Sequence, residues 1–106
     1  MDLKAAPLTE ALFYILLAAR KPVHGYGIIQ EVADLTGGRV TLGPGTLYGA
    51  INSLLDRGWI TLYSAEEGSR KKKEYLITDT GRAAFSIEWL RLQELVENGR
   101  KMEETI

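Results

Sequence analysis

Cysteine is absent from the 106 residues, which excludes a disulfide framework and any thiolate metal site. Histidine occurs once, at His24, so no second imidazole can share a metal with it. Long apolar runs are missing too. The longest, Ala11 to Ala19, has nine residues, against the roughly 20 that a membrane helix needs. The N-terminus has no cationic start leading into a cleavable apolar segment, so secretion is not expected. The lack of cysteine fits a reducing cytoplasm, which is the expected location. Nor does one sign of charge dominate. Thirteen basic and 14 acidic residues give a formal net charge of −1, which does not by itself point to nucleic acid.

The glycine-rich stretches lack what phosphate chemistry requires. Gly25-Tyr26-Gly27 has no third glycine for a dinucleotide turn, and Gly43-Pro44-Gly45-Thr46 has no lysine for a phosphate loop. With no nucleophile–base pair, metal cluster or cofactor loop, neither an enzyme nor a cofactor is expected.

The length suits one domain with a thin core, to which a second copy would add burial. Thr9 to Arg20 has helical character and is apolar on almost every side, and Lys21-Pro22 ends it. Gly25 to Leu35 makes a shorter helix with Ile28, Ile29 and Val32 inward, and Thr36-Gly37-Gly38 is a turn. Val40 and Leu42 suit a short extended piece. Leu47, Ile51, Leu54 and Leu55 recur at helical spacing. Pro44 fits that helix's first turn, Gly43 its N-cap, and Gly58 a left-handed C-terminal cap. Trp59 to Tyr63 and Lys73 to Ile77 are β-prone, with Glu66-Glu67-Gly68-Ser69 as the turn between them. Thr78 is a good N-cap for a last helix running to about Asn98, where Gly99 would stop it.

The order helix, helix, helix, hairpin, helix is that of a winged helix-turn-helix. The expected fold is mainly α with a small β hairpin, a winged helix-turn-helix plus a C-terminal dimerisation helix. It divides as residues 1–82, the DNA-binding part, and residues 83–106, the dimerisation helix, within one compact domain. The first part holds ten basic and nine acidic residues, the second three and five. Its concentrated positive charge is Arg70-Lys71-Lys72-Lys73.

The third helix offers Thr46, Tyr48, Gly49, Asn52 and Ser53 on the side away from the core. A merely solvated face is more often rich in Lys and Glu. Such a helix fits the major groove: Asn52 can donate to and accept from an adenine, Thr46 can meet a base or phosphate, and Tyr48 a phosphate and sugar. The plain alternative is an ordinary exposed helix side with Tyr48 half-buried. The basic run can follow the phosphate backbone or enter the minor groove. Its plain alternative is a solvated loop partly offset by Glu66 and Glu67. His24 reads as a helix-entry residue. On the last helix, Phe85, Trp89, Leu92 and Val96 are spaced four, three and four, a heptad seam that Leu95 and Ile87 widen.

Three segments, His24-Gly25-Tyr26-Gly27-Ile28-Ile29, Pro44-Gly45-Thr46-Leu47-Tyr48 and Lys72-Lys73-Glu74-Tyr75-Leu76-Ile77-Thr78-Asp79-Thr80-Gly81, resemble in order and spacing the PadR family of transcriptional regulators. The resemblance covers roughly residues 9 to 82. It implies a sequence-specific DNA-binding repressor, active as a homodimer on a pseudo-palindromic operator. Tyr26, Thr46, Tyr48, Gly49, Asn52 and Arg70 to Lys73 (Arg70, Lys71, Lys72, Lys73) would meet double-stranded DNA. Phe85, Trp89, Leu92, Leu95 and Val96 would form the dimer, with help from the first helix. It further implies a small hydrophobic or aromatic effector, with Trp89 able to stack on a planar one. The rival from another class is a winged-helix protein-interaction module without DNA binding, which the net charge and the acidic last helix favour.

Overall fold

The computed structural model describes residues 6–65 and 73–105. The element order is α1 (Glu10–Ala18), β1 (Val23–His24), α2 (Gly25–Thr36), α3 (Pro44–Asp56), β2 (Ile60–Ala65), β3 (Lys73–Ile77) and α4 (Asp79–Glu104). None of the described helices is long and apolar enough to cross a membrane.

Thr9 caps α1, its hydroxyl accepting from the Leu12 amide at 3.1 Å. The helix closes at Ala18 rather than at Arg20, because Pro22 disfavours helical backbone in the residue before it and the chain turns over 19–21. Around α1 gather Ile28 and Val32 of α2, Leu47, Ile51 and Leu54 of α3, and Ile60, Tyr75 and Ile77 of the sheet, all buried. Each large aliphatic side chain buried this way contributes about 1.5–3 kcal/mol. Val40 and Leu42 do not form an extended piece. The Thr36 hydroxyl accepts from the Val40 amide, holding the α2–α3 turn, and Leu42 drops into the core.

The hairpin is part of a three-stranded antiparallel sheet in the order β1-β3-β2. The third strand is only Val23 and His24, paired with Tyr75 and Glu74. Two residues are too few for alternation to reveal from sequence. β2 starts at Ile60, one residue later than expected, because Trp59 is spent on the α3 terminus: Gly58, at φ 74°, lets the Trp59 amide reach the Leu54 carbonyl at 3.0 Å and its own amide the Leu55 carbonyl. Between Leu62 and Ser64 a bulge interrupts the β2–β3 register.

α4 is locked to this head at its start. The Thr78 hydroxyl donates to the Gly58 carbonyl at 2.6 Å, and accepts from the Gly81 amide at 3.0 Å. The Ile77 amide donates to the Ala19 carbonyl. At its other end the helix does not stop at Gly99 but continues to Glu104. Glycine lowers helix stability by about 1 kcal/mol but removes no hydrogen bond, and the neighbouring Glu97–Arg100 pair supports the turn. The boundary expected between residues 82 and 83 therefore falls inside α4.

Candidate nucleic-acid interface

α2 and α3 are the paired helices of a helix-turn-helix, joined by a turn in which Gly37 and Gly38 take positive φ. His24 is the N-cap of α2. Its Nδ1 accepts from the Gly27 amide at 3.1 Å, so the lone imidazole is a helix-entry group, as the sequence suggested. Two residues on, Tyr26 projects from the first turn, 69% exposed.

α3 begins at Pro44 with Gly43 as a cap that makes no side-chain hydrogen bond. Its inner side, Leu47, Ile51 and Leu54, is buried. The outer side presents Thr46, Tyr48, Gly49 and Asn52, all exposed, with Ser53 half-buried. The exposed side thus carries hydroxyl, amide and phenol groups, with a single charge, Asp56, exposed at the last residue of the helix.

Tyr48 does more than the sequence reading allowed. Its phenol leans back onto the start of α2, where a Cβ on Gly25 would lie 2.5 Å from the Tyr48 hydroxyl oxygen and 3.0 Å from the ring carbon bearing it. Glycine at position 25 is therefore a requirement of helix-to-helix approach. The same arrangement brings Tyr48 near Tyr75 of β3, whose hydroxyl is pushed above its ordinary pKa first by burial and then by Tyr48. Tyr48 joins α3, the first turn of α2 and the sheet while staying 48% exposed. Tyr26, the α2 N-terminus and Tyr48 consequently share one corner of the molecule. The sequence signal for this was Gly25 itself, next to a helix start where no turn demands glycine.

On the wing, Lys73 is exposed and pairs with Ala65 at the end of the described hairpin. Arg70, Lys71 and Lys72 lie outside the described residues. Behind the wing, the Arg57 guanidinium sits 4.9 Å above the Trp59 ring, a cation–π contact that ties the end of α3 to the hairpin base.

The five seam residues of α4 occupy unequal positions. Phe85 stacks on Phe13 with ring centroids 4.7 Å apart and packs against the chain's own core. Leu92 is half-buried, beside Leu8, Phe13 and Tyr14 in a groove of about 320 Å³. Ile87 is half-buried as well. Trp89, Leu95 and Val96 are exposed. A second groove, of about 210 Å³, lies between Leu16, Leu17, Arg20, Arg82 and Phe85. Trp89 lines neither groove.

Sequence reasoning missed Glu88, which is only 5% exposed. It is held by two hydrogen bonds from Arg91, at 2.7 and 2.8 Å. Those bonds hold the Glu88 carboxyl below its ordinary pKa against the opposing effect of burial, with the Leu8 amide adding to them. The i,i+3 spacing on a helix is a signal for the pair, but nothing in the sequence marked position 88 as an inward one.

A helix-turn-helix followed by a β hairpin, with a polar outer side on the second helix, defines the winged helix-turn-helix class. The comparisons with known proteins narrow the class. The model of the transcriptional regulator PadR-like family matches residues 14–87, and the chain belongs to that family, whose members regulate transcription and are not enzymes. Over 90 residues it is 31% identical to the transcriptional regulator YqjI of Escherichia coli K12, covering 85% of this chain. The chain spans only 39% of the length of that curated relative. A PadR family regulator from Eggerthella lenta shares the fold with a TM-score of 0.75 at 24% identity, over 90% of this chain and 82% of that one. Bacillus subtilis PadR, solved in complex with operator DNA, matches with a TM-score of 0.66 at 26% identity, over 81% of this chain and 49% of that one.

Proposed function

We propose that this regulator is a sequence-specific DNA-binding repressor, acting in the cytoplasm as a homodimer on a pseudo-palindromic operator. The observation that carries this reading is the polar outer side of α3, which holds no charge over the first three turns of the helix. Thr46, Tyr48, Gly49 and Asn52 stand exposed there, beside an α2 N-terminus from which Tyr26 projects. In this reading α3 enters the major groove and Asn52 reads a base edge. Tyr26 and Tyr48 hold phosphate at the corner they share, where the helix N-terminus adds favourable partial charge. Thr46 contacts phosphate or a thymine methyl. The wing residues Arg70, Lys71, Lys72 and Lys73 supply the cationic contacts that the helix lacks. The solved complex of the Bacillus subtilis relative with operator DNA supports the DNA-binding reading.

The dimer would form through α4 with help from α1, burying Trp89, Leu92, Leu95 and Val96 and covering Phe85. Two-fold symmetry then presents two copies of α3 to half-sites about 34 Å apart. A small hydrophobic or aromatic effector would stack on Trp89, whose indole is half-exposed and offers a wide flat face.

The test is a mobility-shift titration with the DNA upstream of the protein's own gene, at two salt concentrations with excess competitor. A specific, salt-weakened shift is expected. Joint substitution Lys72→Ala and Lys73→Ala should weaken binding to every sequence and flatten the log–log salt slope by about 2, near 0.9 for each phosphate that is no longer neutralised. An unchanged slope removes the wing from the interface. A folded dimer that shifts no DNA, in this assay or in random-sequence selection, favours a protein-interaction module instead.

A further inference from the structure

One face of the wing carries an apolar side chain that the core leaves uncovered. Directly paired residues of an antiparallel sheet share a face. The register therefore sets Ile60 beside Ile77 and Leu62 beside Tyr75 on the side turned to the core. Ile60, Ile77 and Tyr75 are buried there, whereas Leu62 is 47% exposed. Burial on this inner face ends between Tyr75 and its own partner. Lys73, two residues before Tyr75 and so on the same face, is exposed. The bulge falls directly after Leu62. A bulge sharpens the local twist, so the hairpin turns where the core gives out. The opposite face holds the pairs Thr61–Leu76 and Ser64–Glu74, and the Ser64 hydroxyl donates to the Glu74 carboxylate at 2.8 Å. β2 and β3 thus sort their two charges, with the acid on the outer face and the base on the inner one.

The inner face borders the outer side of α3, because Tyr75 lies beside Tyr48, which adds to the upward shift of its hydroxyl. Tyr48, Tyr75, Leu62 and Lys73 therefore make one strip from the third helix onto the wing. We infer that Leu62 is a DNA-contact residue, lying against the deoxyribose of the backbone strand whose phosphates Tyr48 and Lys73 hold. The inference rests on the DNA-binding reading above and adds to it an apolar contact outside α3. Along a nucleic-acid strand, charged phosphates alternate with sugars whose C–H groups offer no hydrogen bond. A leucine between a phenol and an ammonium matches that alternation: phosphate, sugar, phosphate. A protein with an apolar face would cover Leu62 but give Lys73 and the Tyr48 hydroxyl no anionic acceptor. A nucleic-acid backbone supplies both. Contacts of this kind position the protein and carry no sequence information, so Leu62 should matter equally for every duplex bound.

Fluorescence-anisotropy titration of the full chain tests this, with two labelled duplexes: the DNA upstream of the protein's own gene and a random sequence of equal length. Circular dichroism on the same samples checks that each variant is folded. Leu62→Ala should lower affinity about tenfold for both duplexes. It should leave the log–log salt slope unchanged, because a sugar contact releases no counterion. Leu62→Met keeps the apolar volume and should bind within twofold of wild type. Thr61→Ala, at an exposed position of the outer face, should do the same. A folded Leu62→Ala protein that binds within twofold of wild type, loses affinity for the upstream duplex alone, or shows a flattened slope overturns the inference and leaves the DNA-binding reading standing. A Leu62→Met protein as weak as Leu62→Ala overturns it too. A wild-type chain that binds neither duplex overturns both.

Discussion

α4 carries a glycine near each end, in opposite surroundings. At Gly81 a Cβ would lie 2.1 Å from the Trp59 carbonyl oxygen and 2.8 Å from the Ile77 side chain; at Gly99 it would meet nothing among the described residues outside its own helix. The same contrast separates Gly25, pressed by Tyr48, from Gly49 on the outer side of α3, where a Cβ again meets nothing. A crowded glycine is explained by the fold, because two elements could not approach with a side chain between them. An open glycine inside a helix is a local loss of stability that the fold leaves unexplained, and both open helical glycines discussed here lie on surfaces assigned above to a partner. The molecule divides accordingly. The core of the head and the first turns of α4, as far as Glu88, satisfy their own packing. The outer side of α3 and α4 from Trp89 onward do not.

The largest effect expected from this contrast is at Gly81. Gly81→Ala drives a methyl into a backbone carbonyl that cannot swing aside, so the start of α4 must move off the hairpin base. A loss of about 3 kcal/mol or more is expected in denaturant unfolding. A loss below about 1 kcal/mol would mean that crowding at this junction is easily relieved, and the contrast would fail on its fold side. On the partner side, Asn52→Ala should leave the unfolding midpoint almost unchanged, since Asn52 is exposed. It should cost about 1–3 kcal/mol of discrimination at one base pair. A binding profile unchanged across a library of operator variants would remove Asn52 from the readout.

Glu88 sharpens the fold side by its pH dependence. Its carboxyl is held below the ordinary range by Arg91, so the folded state favours the ionised form. Its stabilising effect is complete above the unfolded-state value of about 4.3 and fades as pH falls through the lower folded-state value. Glu88→Gln should therefore lower stability by about 1 kcal/mol at pH 7, and the gap to wild type should close in acid. A gap that is constant from pH 7 to pH 3 would show that the pair's charge does not matter there.

Much of this was legible in the sequence wherever a local rule acts alone. Thr9, His24 and Thr78 cap helices, Gly58 ends α3, and Lys73 to Ile77 is β3 to the residue. What escaped depends on what lies across space. The strand Val23–His24 exists only because Tyr75 and Glu74 lie beside it. The helical spacing of Phe85 to Trp89 could be read from sequence, whereas its stacking on Phe13 could not. Gly99 looked like a stop because glycine often ends a helix, but the glycine stop works through the positive φ seen at Gly37 and Gly58, which Gly99 does not adopt. The outer residues of α3 could be named from sequence, whereas the backward lean of Tyr48 onto Gly25 could not.

Gly49→Ala puts the contrast to its finest test, because fold and partner should respond with opposite signs. Among the described residues nothing outside the helix's own backbone lies within 4 Å of the new methyl, and position 49 is inside α3. Alanine there should raise stability by about 0.5–1 kcal/mol through helix propensity alone. If α3 lies against the floor of a groove, the same methyl stands between its backbone and the DNA, and operator affinity should fall although the protein has become more stable. Unfolding midpoint and mobility-shift affinity measured on one preparation decide the matter. A gain in stability with undiminished affinity would show that glycine at this position serves no close approach, and the outer side of α3 would then touch DNA only through the side chains of Thr46, Tyr48 and Asn52.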